Sequence, residues 1–546
     1  MSERKAKLML AAIVLWLSVV AWSNRFVQDD AFISFRYAQN LVHGHGLVFN
    51  PGERVEGYTN FLWTVLVAGG LALGIDPVAF TFVVGIICFA LSLILTYKLS
   101  RLLLRSTETA LLTTILLGTN YTFSCYATGG LETQLQAALI TCCAWLALRW
   151  EKDGRYSGKS LAALSLVSAL AVLTRPDSLL PVAVFCGYAL AQAASARKER
   201  QEWLKNVVFL AGPLFLVIGP WLLWKVAFYG ELLPNTFYAK VHGVGLIEGL
   251  RYLCLFALSY FLVPFLVLFA LSLKNIFRSE GRRLCVVAFV VIAWCVYVAC
   301  VGGDFMEFRF LVPVMPLMFV VVGWLCFVFP MRREVQLALA IVVLLGSVHH
   351  ALTFGKALDT HGVETIADLE GHLFREDENW VGVGKALGKY FGGSAVVLAC
   401  KPCGAIPFYS GLPTIDMLGL SDRWIARHGW VPQEQRAGHR REATLGYLVA
   451  RKANLVVGHP EVLSTAAPHK PFYTVADVNC TWVHVDDPNL LPREAKIVAI
   501  PIGRGHELLA LYLVRHEKIE ETIRRRRWRT YPIYFCKPAA RPHVKA

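Results

Sequence analysis

Charge is what this chain has least of. Only 17% of its 546 residues are Asp, Glu, Lys or Arg, against 56% hydrophobic. That scarcity excludes a soluble globular protein of this length, which needs far more polar surface, and implies a polytopic membrane protein. Acids are the scarcer sign, 39 against 54 bases, for a net charge of +15. The surplus Lys and Arg gather between apolar runs, as on loops held in the cytoplasm, so no nucleic-acid partner is expected. No small-residue cleavage site follows the first apolar run, MSERKAKLMLAAIVLWLSVVAWS, and further runs come after it. That pattern fits a retained signal-anchor rather than a removed leader. A second CxxC is also missing, so Cys400-Lys-Pro-Cys403 has redox spacing without the partner pair of a zinc site. Ten of the fourteen cysteines lie in or beside apolar runs, as small hydrophobes. The other four, Cys400, Cys403, Cys480 and Cys536, are disulfide candidates if the tail faces an oxidising compartment.

What the chain does have is apolar runs, recurring from Leu8 to Leu352 and then stopping. The pattern predicts a membrane domain over 1–353 and a soluble domain over 354–546. A span takes about 20 apolar residues. About eleven are expected, near 8–23, 78–98, 109–125, 132–149, 160–174, 178–196, 206–227, 252–273, 284–301, 309–330 and 335–353. This threading puts every dense basic cluster on one side, from Arg4, Lys5 and Lys7 through Arg149, Lys152 and Arg155, Arg197 and Lys198, and Lys274 and Arg278, to Arg332 and Arg333. FLWTVLVAGGLALGI is read as an external helix lying at the interface, because counting it as a span would turn those clusters outward. The polar loops then share the outer face, with the C-terminal domain beyond the membrane.

Those outer loops carry the chemistry. Adjacent acids at a membrane boundary, Asp29 and Asp30 in VQDDAFISFRYA, are costly unless solvated, paired or working. One of them, Asp30, is placed to cap the helix AFISFRYAQNLV, with Phe32, Phe35 and Val42 on its buried side. Capping accounts for one acid and leaves the other. A semi-buried carboxylate beside its partner has a raised pKa, suited to taking a proton from an incoming hydroxyl; a nucleophile or a metal ligand is the alternative role. Arg175, Lys240 and Arg309 are cations in short outer loops, an arrangement that suits a lipid-borne phosphate. Tyr58, Glu132, Asn235 and Tyr238 bring groups that grip sugar hydroxyls, and Arg36, Asn60, Asp177 and Asp304 complete the set from the same loops.

DDAFISFRYAQNLVHGHGLVFNPGERVEGYTNFLW, ATGGLETQL, LTRPDSLL, PNTFYAK, VGGDFMEFRFLVPVMP and GAIPFYSGLPTIDMLGLSD follow one another between residue 29 and about residue 422. In that order they resemble the GT-C superfamily of integral-membrane glycosyltransferases, and within it the actinobacterial terminal arabinofuranosyltransferases (AftB-like). The resemblance implies a GT-C-type membrane α-helical bundle with external juxtamembrane helices and an extracytoplasmic α/β domain. It implies an inverting transfer from a polyprenyl-phosphate-linked sugar, possessing no cofactor beyond an optional divalent cation, to a glycan or glycolipid acceptor of the cell envelope. It implies Asp29 as general base and Asp30 as the residue that orients the acceptor or holds the base. It also implies a multi-pass protein of the bacterial cytoplasmic membrane, in contact with its lipids. CKPC before GAIPFYSG departs from the family pattern, and no feature selects arabinose over another sugar.

In the outer domain, SAVVLACKPCGAIPFYSG predicts strand, turn and short helix. ATLGYLVARKANLVVGHP predicts a helix feeding a strand, and KIVAIPI and HELLALYLV around Gly-Arg-Gly predict a hairpin. The arginine run at 524–529 suits anionic headgroups or polysaccharide, or is a solvated basic face. Two rival classes stand beside the transferase. A lipid-linked sugar transporter should show charged mid-spans and paired repeats, which are not evident here. A non-catalytic envelope-assembly protein should tolerate loss of Asp29.

Overall fold

The computed structural model describes residues 2–153, 157–195, 200–240, 245–276, 282–356, 360, 362–433, 438 and 440–535. Cys536 and the basic markers Arg155, Arg197, Lys198 and Arg278 lie outside the described residues. Two compact units divide the chain: 1–27, 59–232 and 243–368 form the first, and 28–58, 233–242 and 369–546 the second. A single cut near residue 353 therefore does not separate them. The segment carrying Asp29 and the segment 233–242 cluster with the C-terminal residues.

The first unit is helical. Among the described residues, seven helices are long and apolar enough to cross a bilayer, and an eighth span arises if Leu246–Ser259 and Val263–Lys274 are one span bent by 103°. The expected count of eleven exceeds this for three reasons. The run near 109–125 breaks after Thr107–Gly118, Gly158–Thr174 is a shorter apolar helix of 17 residues, and Thr133–Asp153 is less apolar than the seven. Phe61–Ala72 is a helix of 12 residues, too short to span. The long helices leave apolar side chains uncovered, Phe215 at 73%, Leu216 at 71% and Leu223 at 75% exposure, as lipid-facing residues require. Pro213 and Pro220 interrupt the backbone ladder of Arg200–Tyr229, and Ser165 Oγ on a neighbouring helix accepts the Leu214 N–H at 2.9 Å. The chain is a multi-pass membrane protein.

The second unit holds a seven-stranded mixed sheet. Its strands are β1 (Leu398–Cys400), β2 (Thr414–Asp416), β3 (Leu455–Ser464), β4 (Tyr473–Thr474), β5 (Lys496–Gly503), β6 (His506–Tyr512) and β7 (Thr530–Tyr534), in the order β2-β1-β3-β6-β5-β7-β4. β1 pairs in parallel with both β2 and β3, while β3, β6, β5 and β7 run antiparallel in turn. The predicted hairpin is β5–β6: Arg504 and Gly505, with φ of 53° and 75°, supply the two left-handed residues that a tight twisted turn demands. The predicted strand, turn and helix at 394–411 are β1, a turn through Cys403, and Ala405–Ser410. Val456, Ile497, Leu509 and Leu511 are fully buried in a core closed by Trp482.

Asp29–Val42 also belongs to the second unit. The helix starts two residues earlier than expected. Gln28 is the N-cap, Asp29 and Asp30 form the first turn, and Asp30 is not the cap. Two acids in the first turn suit the positive end of a helix. Phe32 and Phe35 are buried as expected, but Val42 is 41% exposed. Burial extends around the whole helix, to Ser34, Arg36, Tyr37 and Asn40, because loops and the short helix Ala405–Ser410 enclose it.

Candidate active site

The thirteen residues singled out from sequence fall into both units. In the second unit the centre is Asp29. Its carboxylate accepts the backbone N–H of Gly404 through Oδ2 at 3.0 Å and of Ala405 through Oδ1 at 2.8 Å. Gly404 is required there, since a Cβ on it would lie 1.9 Å from the Asp29 carbonyl oxygen. Asp29 keeps part of its surface accessible, although protein packs around the carboxylate itself. Burial pushes its pKa up to about 7, helped by the neighbouring Asp30 charge; the two N–H donors and His372 pull the other way. Asp30 is half-buried next to it.

Gln28 was missed by sequence reasoning. It is 1% exposed, and neither its amide nitrogen nor its amide oxygen has a partner among the described residues. A buried amide without partners is costly, and such groups cluster where a ligand supplies the bond. Its position beside the acids was the one available signal.

Arg36 and Asn235 serve the framework. Arg36 donates from Nε to Phe49 O at 2.7 Å, from Nη2 to Asn50 Oδ1 at 3.0 Å and Leu412 O at 2.7 Å, and from Nη1 to Pro407 O. Those bonds tie 49–50 to 407–412 and occupy every nitrogen of the guanidinium. Asn235 Nδ2 donates to the carbonyls of Gly419, Leu420 and Asp422, and its Oδ1 accepts from Arg427 at 3.2 Å. Tyr58 is buried edge-on to Tyr37, 4.8 Å between ring centroids. Tyr238 carries the Arg427 guanidinium over its ring at 4.0 Å, and half-buried Lys240 ends the same short helix, Asn235–Lys240.

In the first unit six of the predicted residues come together. Glu132 accepts Asn60 Nδ2 through Oε2 and Arg175 Nη1 through Oε1, both at 2.7 Å. Arg175 also meets Asp177 at 3.0 Å, and Gln136 Nε2 donates to Asp177 at 2.7 Å. Arg309 Nε donates to Asp304 Oδ2 at 2.6 Å. Both guanidinium groups stand near the Phe310 ring, Arg175 at 5.8 Å and Arg309 at 5.2 Å. Three acids thus face two arginines, Glu132 and Asp177 at Arg175 and Asp304 at Arg309. The loop itself is held by Glu307, absent from the sequence-derived set, which accepts Ile366 N–H and bonds His350 Nε2, each at 2.9 Å.

No three His, Cys, Asp or Glu side chains gather as metal ligands among the described residues. At Asp29 a cation would share oxygens that already accept two N–H groups.

The profile of the Alg9-like mannosyltransferase family matches residues 7–376, and a domain of unknown function (DUF8728) matches residues 368–512. The terminal β-(1→2)-arabinofuranosyltransferase of Mycobacterium tuberculosis is 28% identical over 350 residues, 55% of this chain and 54% of that protein. Its namesake in Corynebacterium glutamicum is 27% identical over 329 residues, 53% of this chain and 46% of the relative. The chain spans about half the length of these curated relatives. The crystal structure of ArnT from Cupriavidus metallidurans bound to undecaprenyl phosphate aligns with a TM-score of 0.54 at 12% identity, covering 93% of this chain and 98% of that one, and so shares its fold. With a family match spanning most of its length, the chain belongs to the Alg9-like mannosyltransferase family, of the GT-C type.

Proposed function

We propose that the protein is an inverting glycosyltransferase that moves a sugar from a polyprenyl-phosphate carrier to a cell-envelope glycan or glycolipid on the outer side of the bacterial cytoplasmic membrane. The observation that carries this reading is the state of Asp29. Its carboxylate, enclosed by protein, is aimed by two backbone N–H groups, and burial raises its pKa to about 7. A base of that strength takes a proton from an acceptor hydroxyl at neutral pH and can later release it. The activated oxygen attacks the anomeric carbon, the bond to the carrier phosphate breaks, and the phosphate leaves as an anion. Asp30 orients the acceptor.

For the leaving phosphate, Arg309 is a candidate by its charge, with Asp304 holding its Nε. Lys240 and Arg175 are the further candidates. Glu132, Asp177 and Asp304 hold the arginines, and Asn60, Tyr58 and Tyr238 offer sugar contacts. The names of the two arabinofuranosyltransferases support arabinofuranose as the sugar, and the undecaprenyl phosphate bound to ArnT supports the carrier class. The reaction so described uses no cofactor; a divalent cation bound to the Asp29–Asp30 pair is the competing account, and chelation followed by Mg²⁺ or Mn²⁺ repletion separates the two.

The test is transfer by the purified protein from a panel of radiolabelled polyprenyl-phosphate sugars to envelope glycans. One sugar should move with wild type, and none with Asp29→Asn. If no sugar moves and the Asp29→Asn variant supports growth as wild type does, the transferase reading fails. Sidedness has its own test: Cys480, exposed in the second unit, should react with a membrane-impermeant maleimide on intact cells.

A further inference from the structure

Cys400 and Cys403 take no part in the proposed transfer, yet they flank the turn that delivers the donors to Asp29. Both are buried, with Sγ atoms 3.9 Å apart. Cys403 is bonded to Gly404, whose N–H reaches Asp29 Oδ2, and the Ala405 N–H follows at Oδ1. On its other side Cys400 ends β1, where its carbonyl accepts the Met417 N–H at 3.0 Å and so is fixed in the sheet. Cys403 Sγ–H donates to the same carbonyl at 3.2 Å. Gly404 has no side chain to restrain it, and its backbone sits at φ −96°, ψ −91°, outside the regular helical and extended regions. Whatever restrains that residue must therefore come from its neighbours.

We propose that Cys400 and Cys403 are a reversible dithiol–disulfide modification site, and that the disulfide clamps the turn presenting Gly404 and Ala405 to Asp29. In the oxidation each thiol gives up a proton and together they give up two electrons. An S–S bond forms, and the acceptor is a disulfide of a small molecule or protein, itself reduced to two thiols. Closing 3.9 Å to the ~2.05 Å of a disulfide takes rotation of two side chains within one turn. The closed ring removes backbone freedom from the open-turn state, as cross-links do. In a compartment outside the cytoplasm such a bond persists. The clamp's effect on transfer rests on the proposed function; its formation and its effect on the turn do not.

The full-length protein in detergent is equilibrated with reduced or oxidised glutathione, alkylated and digested. Lys401 precedes Pro402, so trypsin leaves both cysteines in one peptide; the reduced form should carry two alkyl groups, and the oxidised form should carry none and be two hydrogens lighter than the free dithiol. Amide hydrogen exchange over 400–408 should be about tenfold slower in the oxidised protein, and the difference should vanish in Cys400→Ser/Cys403→Ser. Cys480→Ser should retain it. Transfer by the oxidised protein should exceed that of the reduced protein several-fold. A peptide that stays fully alkylated after oxidised glutathione overturns the proposal, as does a disulfide that forms without changing exchange at 400–408. Protected amides with no sugar transfer in either redox state would leave the clamp standing and count against the transferase reading instead.

Discussion

Glu132 and Asp29 are two enclosed carboxylates, each accepting two hydrogen bonds of 2.7–3.0 Å, and they are built for different work. One of Glu132's donors is the Arg175 guanidinium, a permanent charge. Asp29's donors are backbone amides, dipoles without net charge. An ionised donor holds its partner ionised, whereas neutral donors offset only part of the cost of burying the anion. The first arrangement makes a fixed electrostatic frame; the second leaves a proton free to move near neutral pH. Hydrogen-bond count alone would rank the two sites as equals.

Asp29→Asn is the sharpest way to break the comparison. It keeps the shape and the oxygen facing one N–H but cannot take a proton, so transfer should fall about 10²–10⁴-fold. Thermal unfolding should stay at or above wild type, since a carboxylate whose burial is uncompensated by charge is removed. Equal activity would reduce Asp29 to an anchor for Gly404 and Ala405. Glu132→Gln attacks the other side. It strips a charge from a buried pair and should cost about 3–5 kcal/mol of stability, read from the unfolding midpoint in detergent. The remaining Asp177 contact of Arg175 would keep the loss toward the lower figure.

Some of this was legible in the chain and some was not. The apolar runs and the acid pair opening the first long loop gave away the fold class, and alternation with turn residues gave away β5 and β6. The Glu132–Arg175 pair was hidden because its members lie 43 positions apart, with no local pattern to link them. Gln28 stands at the cap in place of Asp30 because the helix already begins at Asp29, which puts both acids in its first turn. The span pattern is blurred where an apolar run breaks, as after Thr107–Gly118, where Thr113 packs against Gly323 in a gap only glycine leaves open.

The contrast also has a pH signature. Asp29 should titrate in activity, so transfer should drop below a midpoint of about 7, with Asp30 and His372 the charged neighbours able to move that value. For stability the sign is opposite to a salt-bridged acid. The folded protein holds the Asp29 proton more tightly than the unfolded chain, whose pKa is near the ordinary 3.8. Its contribution is therefore full below about pH 4 and is lost as pH rises through about 7. Asp29→Asn should flatten the stability profile across that window, and Glu132→Gln should not.

Gln28→Leu is the smallest and most discriminating change. If the amide serves only the fold, replacing it should unfold part of the Asp29 helix. Neither of its polar atoms has a partner among the described residues, however, so an apolar side chain of similar size should leave the unfolding midpoint unchanged or raise it. Should the amide instead meet an acceptor hydroxyl beside Asp29, the loss would appear in binding. Acceptor KM should rise by about 2- to 12-fold, the equivalent of ~0.5–1.5 kcal/mol for one hydrogen bond, while kcat and the pH midpoint hold. A fall in kcat with a shifted midpoint would place Gln28 in the electrostatics of Asp29, and the neutral-donor account of that carboxylate would then need a third dipole.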